Sequence, residues 1–287
     1  MLGLETNKAL QMIKAAEEGG YGFPGVVSYN IETIVAAVRA AEAKRSPVQI
    51  LLFPWAIDYS DGLLVKAAAA AAHSASVPIT VHLDHAQDED IIKKAADAGG
   101  FDSIMIDMSH FEKEENLSKT AKLVQYCHDR GIATEAEPGR MEGGEDGVQD
   151  TGNLEGLLTT PEEANRFITT GIDFLAPAFG NLHGHYGAVE NIKLDFDRLD
   201  RIRHSTKGRV HLVLHGTNDF PDGIMQGCVK YGMTRCNVND LAIYKYNRYI
   251  AENAGKVPLT TLMEDGTKLI QECIEHQMDV MGGTGKV

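Results

Sequence analysis

"ITVHLDHAQDED", residues 79–90, decides the fold. Ile79, Val81 and Leu83 alternate with Thr80, His82 and Asp84, which is the period of a strand. The run then stops on a carboxylate and an imidazole, Asp84 and His85. Two other apolar runs stop in the same way. "FLAPAFGNLHG" (174–184) reaches His183, and "VHLVLHG" (210–216) reaches His215. Apolar strands that each deliver a ligand-type side chain at the C-terminal end fit a parallel barrel, whose active site gathers at that rim.

Working outward, five more strand-like runs appear: "GVVSYN" (25–30), "VQILLFP" (48–54), "SIMIDMS" (103–109), "ATEAEPG" (133–139) and "TRCNVN" (234–239). With 79–85, 174–180 and 211–216 they make eight. Helical patterns such as "IETIVAAVRAAEAK", "DIIKKAADAG" and "DFDRLDRIRHSTKG" lie between them. This alternation predicts a parallel sheet with helical crossovers. Eight such units in about 250 residues is the size of a (β/α)8 TIM barrel, an α/β fold. The rival, an open doubly wound sheet, would carry GxGxxG after its first strand, and none is there. "MLGLETNKALQMIKAAEEGG" (1–20) has the three-to-four apolar spacing of an amphipathic helix and does not read as a signal peptide. The expectation is one domain, residues 1–287, with an N-terminal helix and a C-terminal helical extension.

The bulk numbers narrow the partners. The 287 residues carry a formal net charge of −14, which argues against nucleic acid and anionic membrane but not against a small anionic substrate. No apolar run approaches the roughly 20 residues of a membrane span. Cys127, Cys228, Cys236 and Cys273 are scattered without CxxC spacing, as expected of reduced thiols in a cytoplasmic protein.

Three histidines on one rim, with a fourth position open, fit a catalytic zinc site. The alternative is that each is separately hydrogen-bonded at its strand end. Strict alternation points Asp84 and His85 to opposite faces, so they share a pocket only if the strand is already turning into its loop. Gly184 and Gly216 follow two of the histidines and let the backbone approach a ligand. Asp107 and Glu137 are carboxylates in apolar runs, costly unless paired or on a metal, and suit a second metal position or the orientation of a ligand histidine. The longest irregular stretch, 139–156, is Gly-rich and acidic. Its Glu145 is a base that could close over substrate. His82, His110, His128 and His185 are read as structural.

At these residues the chain resembles the class II, metal-dependent fructose-bisphosphate aldolases and their tagatose-bisphosphate relatives. "HLDH" (82–85), "IDMSH" (106–110), "EAEPG" (135–139), "GGEDG" (143–147), "FGNLHGHY" (179–186), "LVLHG" (212–216) and "NVN" (237–239) occur in that family's order. The resemblance implies reversible retro-aldol cleavage of a ketose to a ketone donor and an aldehyde. It implies one catalytic Zn2+ on His85, His183 and His215, with a monovalent cation as an optional companion. Asp84 would shuttle the proton of the hydroxyl that becomes the aldehyde, and Glu145 would move the proton at the nucleophilic carbon. Asp107 and Glu137 would serve the neighbouring metal position or hold the metal-binding histidines from behind. Asn237 would contact the donor, in a substrate pocket completed by Asn30, Gly184, Gly216, Asn218, Asn239 and Asp240. The expected partner is a small sugar, phosphorylated or not, and the expected assembly a homodimer or homotetramer.

The phosphate cradle departs from the family pattern. Gly187 stands where "HGxYK" has lysine, Asn218 where "HGxSG" has serine, and Asp240 where "NxxT" has threonine. Phe53 occupies a second-strand position that usually carries Ser or Thr near substrate. The C-terminal "DPR" segment is not recognisable in "GKVPLTTLMEDG". The expectation is a shifted substrate preference. A non-catalytic barrel that binds sugar or metal as a sensor is the alternative.

Overall fold

The computed structural model describes residues 4–144, 146 and 156–287. Its strands are β1 (Phe23–Val27), β2 (Val48–Leu52), β3 (Ile79–Ala86), β4 (Ser103–Ile106), β5 (Ala133–Ala136), β6 (Phe174–Leu175), β7 (His211–Leu214) and β8 (Met233–Val238). Every neighbouring pair is parallel, and β1 pairs with β8 to close the barrel in the order β1 to β8. The helices are α1 (Lys8–Gly19), α2 (Ile31–Lys44), α3 (Pro54–Tyr59), α4 (Leu63–Ser74), α5 (Glu89–Ala98), α6 (Lys113–His128), α7 (Pro161–Ile168), α8 (Phe196–Thr206), α9 (Asp222–Lys230), α10 (Asp240–Asn253) and α11 (Leu259–Met281). Each of the eight expected strands is present. Most end earlier than their apolar runs do; residues 176–180, for example, have left β6. The polar residues at the tails of the runs therefore lie mostly in the rim loops.

Two features position the rim. First, α1 closes the base of the barrel. Its Ala9, Met12, Ile13 and Ala16 form one stripe and pack with Phe23, Ala133, Phe174 and Val213. Asn7 caps α1 and ties it to the barrel, donating to the carbonyls of Asp102 (2.7 Å) and Gly131 (2.9 Å). Second, the barrel interior is polar halfway up. Arg235 Nη1 donates to Gln49 Oε1 at 3.0 Å, and Gln49 Nε2 donates to Thr80 and Ser103. Arg235 is fully buried there. Gly25 makes the room, since a Cβ on it would lie 3.2 Å from Arg235 Cδ and 3.1 Å from Asn237 Oδ1. The four cysteines are all buried and free. Among the described residues no helix is long and apolar enough to cross a membrane.

Candidate active site

Asp84 and His85 are buried at one rim, where Asp84 meets Asn237 and His85 meets His215, but not because β3 turns into its loop. The strand continues to Ala86 and carries a bulge: Leu83 faces Ile104 and Ala86 faces Ile106, three steps against two on β4. His85 takes φ 47°, a left-handed conformation uncommon for a non-glycine residue. The extra residue cancels the alternation that would have separated the two side chains.

His183 lies in the loop after β6, and His215 follows β7. Asn181 joins those loops by donating to the His215 carbonyl at 3.0 Å. Tyr186 adds a second tie through its hydroxyl, which donates to the Gly216 carbonyl at 2.8 Å. Gly216, at φ 69°, passes so close to Leu182 that a Cβ would sit 2.3 Å from its carbonyl oxygen. The His183 N–H donates to the Glu142 carbonyl at 2.8 Å, linking in the loop after β5.

The three imidazoles converge. One ring nitrogen from each of His85, His183 and His215 lies within 4.8 Å of the others. His85 Nδ1 faces Asp107 Oδ2 at 2.9 Å, and His215 Nε2 faces Glu135 Oε1 at 2.7 Å. Those contacts leave His85 Nε2 and His215 Nδ1 facing each other at 2.9 Å. The His85 and His215 rings are thus each oriented from behind by a carboxylate, as metal-binding histidines are. The His183 Nε2 atom is buried with no hydrogen-bond partner among the described residues. A cavity of about 10 Å³ lies between the histidines, Gly216, Thr217 and Asn237, on the scale of a single ion or water.

The electrostatics match a cation at this point. Burial works against a charged His85, but Asp84 and Asp107 outweigh it and lift the group to about 10. Burial, reinforced by His85 and His215, holds His183 well below the usual imidazole range, so it stays neutral as a ligand must. Burial alone would raise Asp84, yet His85 and His215 hold it well below the usual carboxylate range. Asp84 Oδ2 accepts from Asn237 Nδ2 at 2.9 Å, while its Oδ1 has no hydrogen-bond partner among the described residues.

Two carboxylate clusters flank the histidines. His85, Asp107 and Glu137 form one. Burial, then the charge of Asp107, pushes Glu137 up to about 8, which marks a place where a second positive charge would be welcome. His82, Asp84 and Glu135 form the other. There the charge is already supplied, because Arg235 donates to both Glu135 oxygens, at 2.8 and 3.0 Å. Sequence reasoning missed Glu135 and Arg235. The signal was present: Glu135 lies two residues before Glu137 in the run 133–139, and Arg235 places a full charge in the strand-like run 234–239.

A second cavity, about 230 Å³, opens beside the first. Asn239 lines both. Tyr29, Asp146, Gly184, His185, Asn218, Asp240 and Asn247 are among its walls, and among the described residues no Lys or Arg is. Asn218 Oδ1 accepts from the Asp240 N–H at 3.1 Å, so the first amide of α10 already has a partner. His185 and the N–H of Tyr186 both face the Asp219 carboxylate. Asn30 lines neither cavity; it caps α2 by accepting from Thr33 N and donates to the Tyr246 hydroxyl. Glu145 lies outside the described residues. The loop that carries it is pinned at its base, where Arg140 and Leu157 exchange two backbone hydrogen bonds.

Comparison with known proteins gives one answer. The sequence profile of "Fructose-bisphosphate aldolase class-II" matches residues 7–286. A Coccidioides immitis protein named "Putative fructose-bisphosphate aldolase" is 54% identical, over 99% of this chain and 96% of its own. The fructose-bisphosphate aldolase of Streptococcus pneumoniae serotype 4 is 35% identical, over 97% of this chain and 98% of its own. A crystal structure of a Coccidioides immitis relative, 54% identical, superposes with a TM-score of 0.96 over 98% of both chains. The sensor alternative finds no support among these relatives.

Proposed function

We propose, from the premise that this chain belongs to the class II fructose-bisphosphate aldolase family and is a lyase, that it is a zinc-dependent aldolase whose preferred donor fragment carries no phosphate. The observation that carries the chemistry is the convergence of three histidine nitrogens beside Asp84. His85, His183 and His215 would hold the ion, in the three-histidine arrangement that suits Zn2+. When bound, such an ion supplies Lewis acidity to the ketose carbonyl.

The chain's own residues do the rest. Asp84, ionised and oriented by Asn237, takes the proton of the hydroxyl that becomes the aldehyde and returns it in the synthetic direction. Asp107 and Glu135 fix the histidine rings. Glu145, from the long loop, moves the proton at the nucleophilic carbon. The donor's far end enters the cavity walled by Asn218, Asn239, Asn247 and Asp240. A phosphate dianion there finds amides and carboxylates and, among the described residues, no lysine or arginine. Hydroxyls, which both donate and accept, match that wall.

Steady-state kinetics test this. The zinc-loaded protein should cleave an unphosphorylated or monophosphorylated ketose with higher kcat/KM than fructose 1,6-bisphosphate, and chelation should abolish both activities. Ordinary aldolase efficiency on the bisphosphate would overturn the substrate assignment.

A further inference from the structure

A run of aromatic rings leads from His85 to the surface. Phe53 lies 6.3 Å from the His85 ring, centroid to centroid. Tyr29 packs edge-on to Phe53 at 6.1 Å and lies 6.2 Å from Trp55. Trp55 and Tyr59 stack at 4.6 Å with their planes 10° apart. Exposure rises outward, from 2% at Phe53 to 38% at Trp55 and 71% at Tyr59.

Packing explains the inner end of this run and not the outer. Phe53 belongs to a small core with Val27 and Leu51. Trp55 and Tyr59, one turn apart on α3, hold two large rings against each other in solvent at the rim. No lysine or arginine among the described residues lies over Phe53, Trp55 or Tyr59. The charge on α3, Asp58, is paired with Lys94 at 2.9 Å.

Tyr29 divides two chemistries. Its hydroxyl donates to Asn239 Oδ1 at 3.1 Å, on the amide and carboxylate cavity, and its ring belongs to the aromatic run. A substrate held at His85 would have one fragment toward the amides and the other along the rings. We propose that the rings receive the aldehyde fragment and select an aldehyde with an aromatic or otherwise apolar substituent and no phosphate. The proposal rests on the aldolase reading above. An apolar group would gain burial against the rings and edge-to-face contact with them. A phosphate would meet electron-rich ring faces with no lysine or arginine lying over Phe53, Trp55 or Tyr59 among the described residues. In the synthetic direction the donor gives up the proton at its nucleophilic carbon to a base, and the electron pair left on that carbon bonds to the aldehyde carbon. The carbonyl π pair moves to the aldehyde oxygen, and a proton passes to that oxygen through Asp84, so one proton leaves the donor and one enters the product. No oxidant or reductant is required.

The test uses the zinc-loaded protein with dihydroxyacetone or its phosphate as donor. Benzaldehyde, glyceraldehyde and glyceraldehyde 3-phosphate are the acceptors, and adduct is quantified by mass spectrometry. Benzaldehyde should exceed glyceraldehyde 3-phosphate at least tenfold in kcat/KM. Trp55→Ala should raise KM for benzaldehyde roughly 2–10-fold, the worth of one aromatic pair, and more than it raises KM for glyceraldehyde. Phe53→Ser should narrow the preference. Trp55 is the chain's one tryptophan, so its emission reads occupancy directly. Unreactive benzyl alcohol should change that emission. Preference for glyceraldehyde 3-phosphate would overturn the proposal and leave the aldolase reading standing. No adduct from any pair would overturn the aldolase reading, with the benzyl alcohol titration still judging the rings. Emission that responds to protein dilution and not to benzyl alcohol would assign Trp55 to contact between copies and overturn the proposal.

Discussion

Arg235→Leu should unsettle the site from below. The guanidinium is fully buried, donates to both oxygens of Glu135 at 2.8 and 3.0 Å, and holds Gln49 at 3.0 Å. Burial alone would raise Glu135, but Arg235 and the His215 hydrogen bond keep it below the usual carboxylate range. Without Arg235 a fully buried carboxylate would keep His215 as its main partner, at 2.7 Å. Breaking one side of a buried pair typically costs about 3–5 kcal/mol. At roughly 2–3 °C per kcal/mol for a chain of this size, Tm should fall by roughly 6–15 °C. The double variant Glu135→Leu/Arg235→Leu removes both charges, and at least half of the lost stability should return. Metal affinity should not return with it, because His215 has lost the carboxylate that orients its ring; a loss of roughly 10–100-fold is expected. Thermal melts of the four proteins in the cycle, followed by zinc titration, measure both quantities. An Arg235→Leu protein that melts within about 2 °C of the parent would refute the reasoning.

Three other outcomes follow from the same geometry. His183→Ala should leave too few ligands, and metal content after dialysis should drop to background with activity; an active, metal-loaded variant would count against the ligand set. Asp84→Asn should keep the metal and lose cleavage by roughly 10²–10⁴, the usual worth of a positioned acid–base group, read by single-turnover kinetics. Asn218→Ser with Asp240→Thr should raise kcat/KM for fructose 1,6-bisphosphate. Two unit charges about 4 Å apart repel by roughly 4 kcal/mol at an effective dielectric near 20, and partial exposure of Asp240 reduces the gain to roughly 10–100-fold. Adding Gly187→Lys should help less than its charge suggests, because Gly187 sits at φ 77° and a side chain there is strained by about 1–2 kcal/mol.

The barrel was legible because its signals are local and repeated. Eight apolar runs alternate with helical patterns, and each strand lies on or beside its run. The histidines were legible for the same reason, since each stands at the end of such a run. What the sequence hid depends on pairing across strands. The bulge that brings Asp84 and His85 together is a mismatch in register between β3 and β4, and neither strand reveals it alone. The Glu135–Arg235 pair joins β5 to β8 across the barrel, 100 positions apart. His82 looked like an ordinary buried histidine, yet it stands 3.3 Å from Glu135 and bonds Ser103 at 2.7 Å. Asn30, read as a substrate contact, is spent on capping α2, a use that Thr33 three residues later signals.

The most direct test is a crystal of the zinc-soaked protein with diffraction recorded on both sides of the zinc absorption edge. One strong anomalous peak is expected about 2.0–2.1 Å from a ring nitrogen of each of His85, His183 and His215. A peak elsewhere, or none in crystals of protein that cleaves its ketose at full rate, would contradict it.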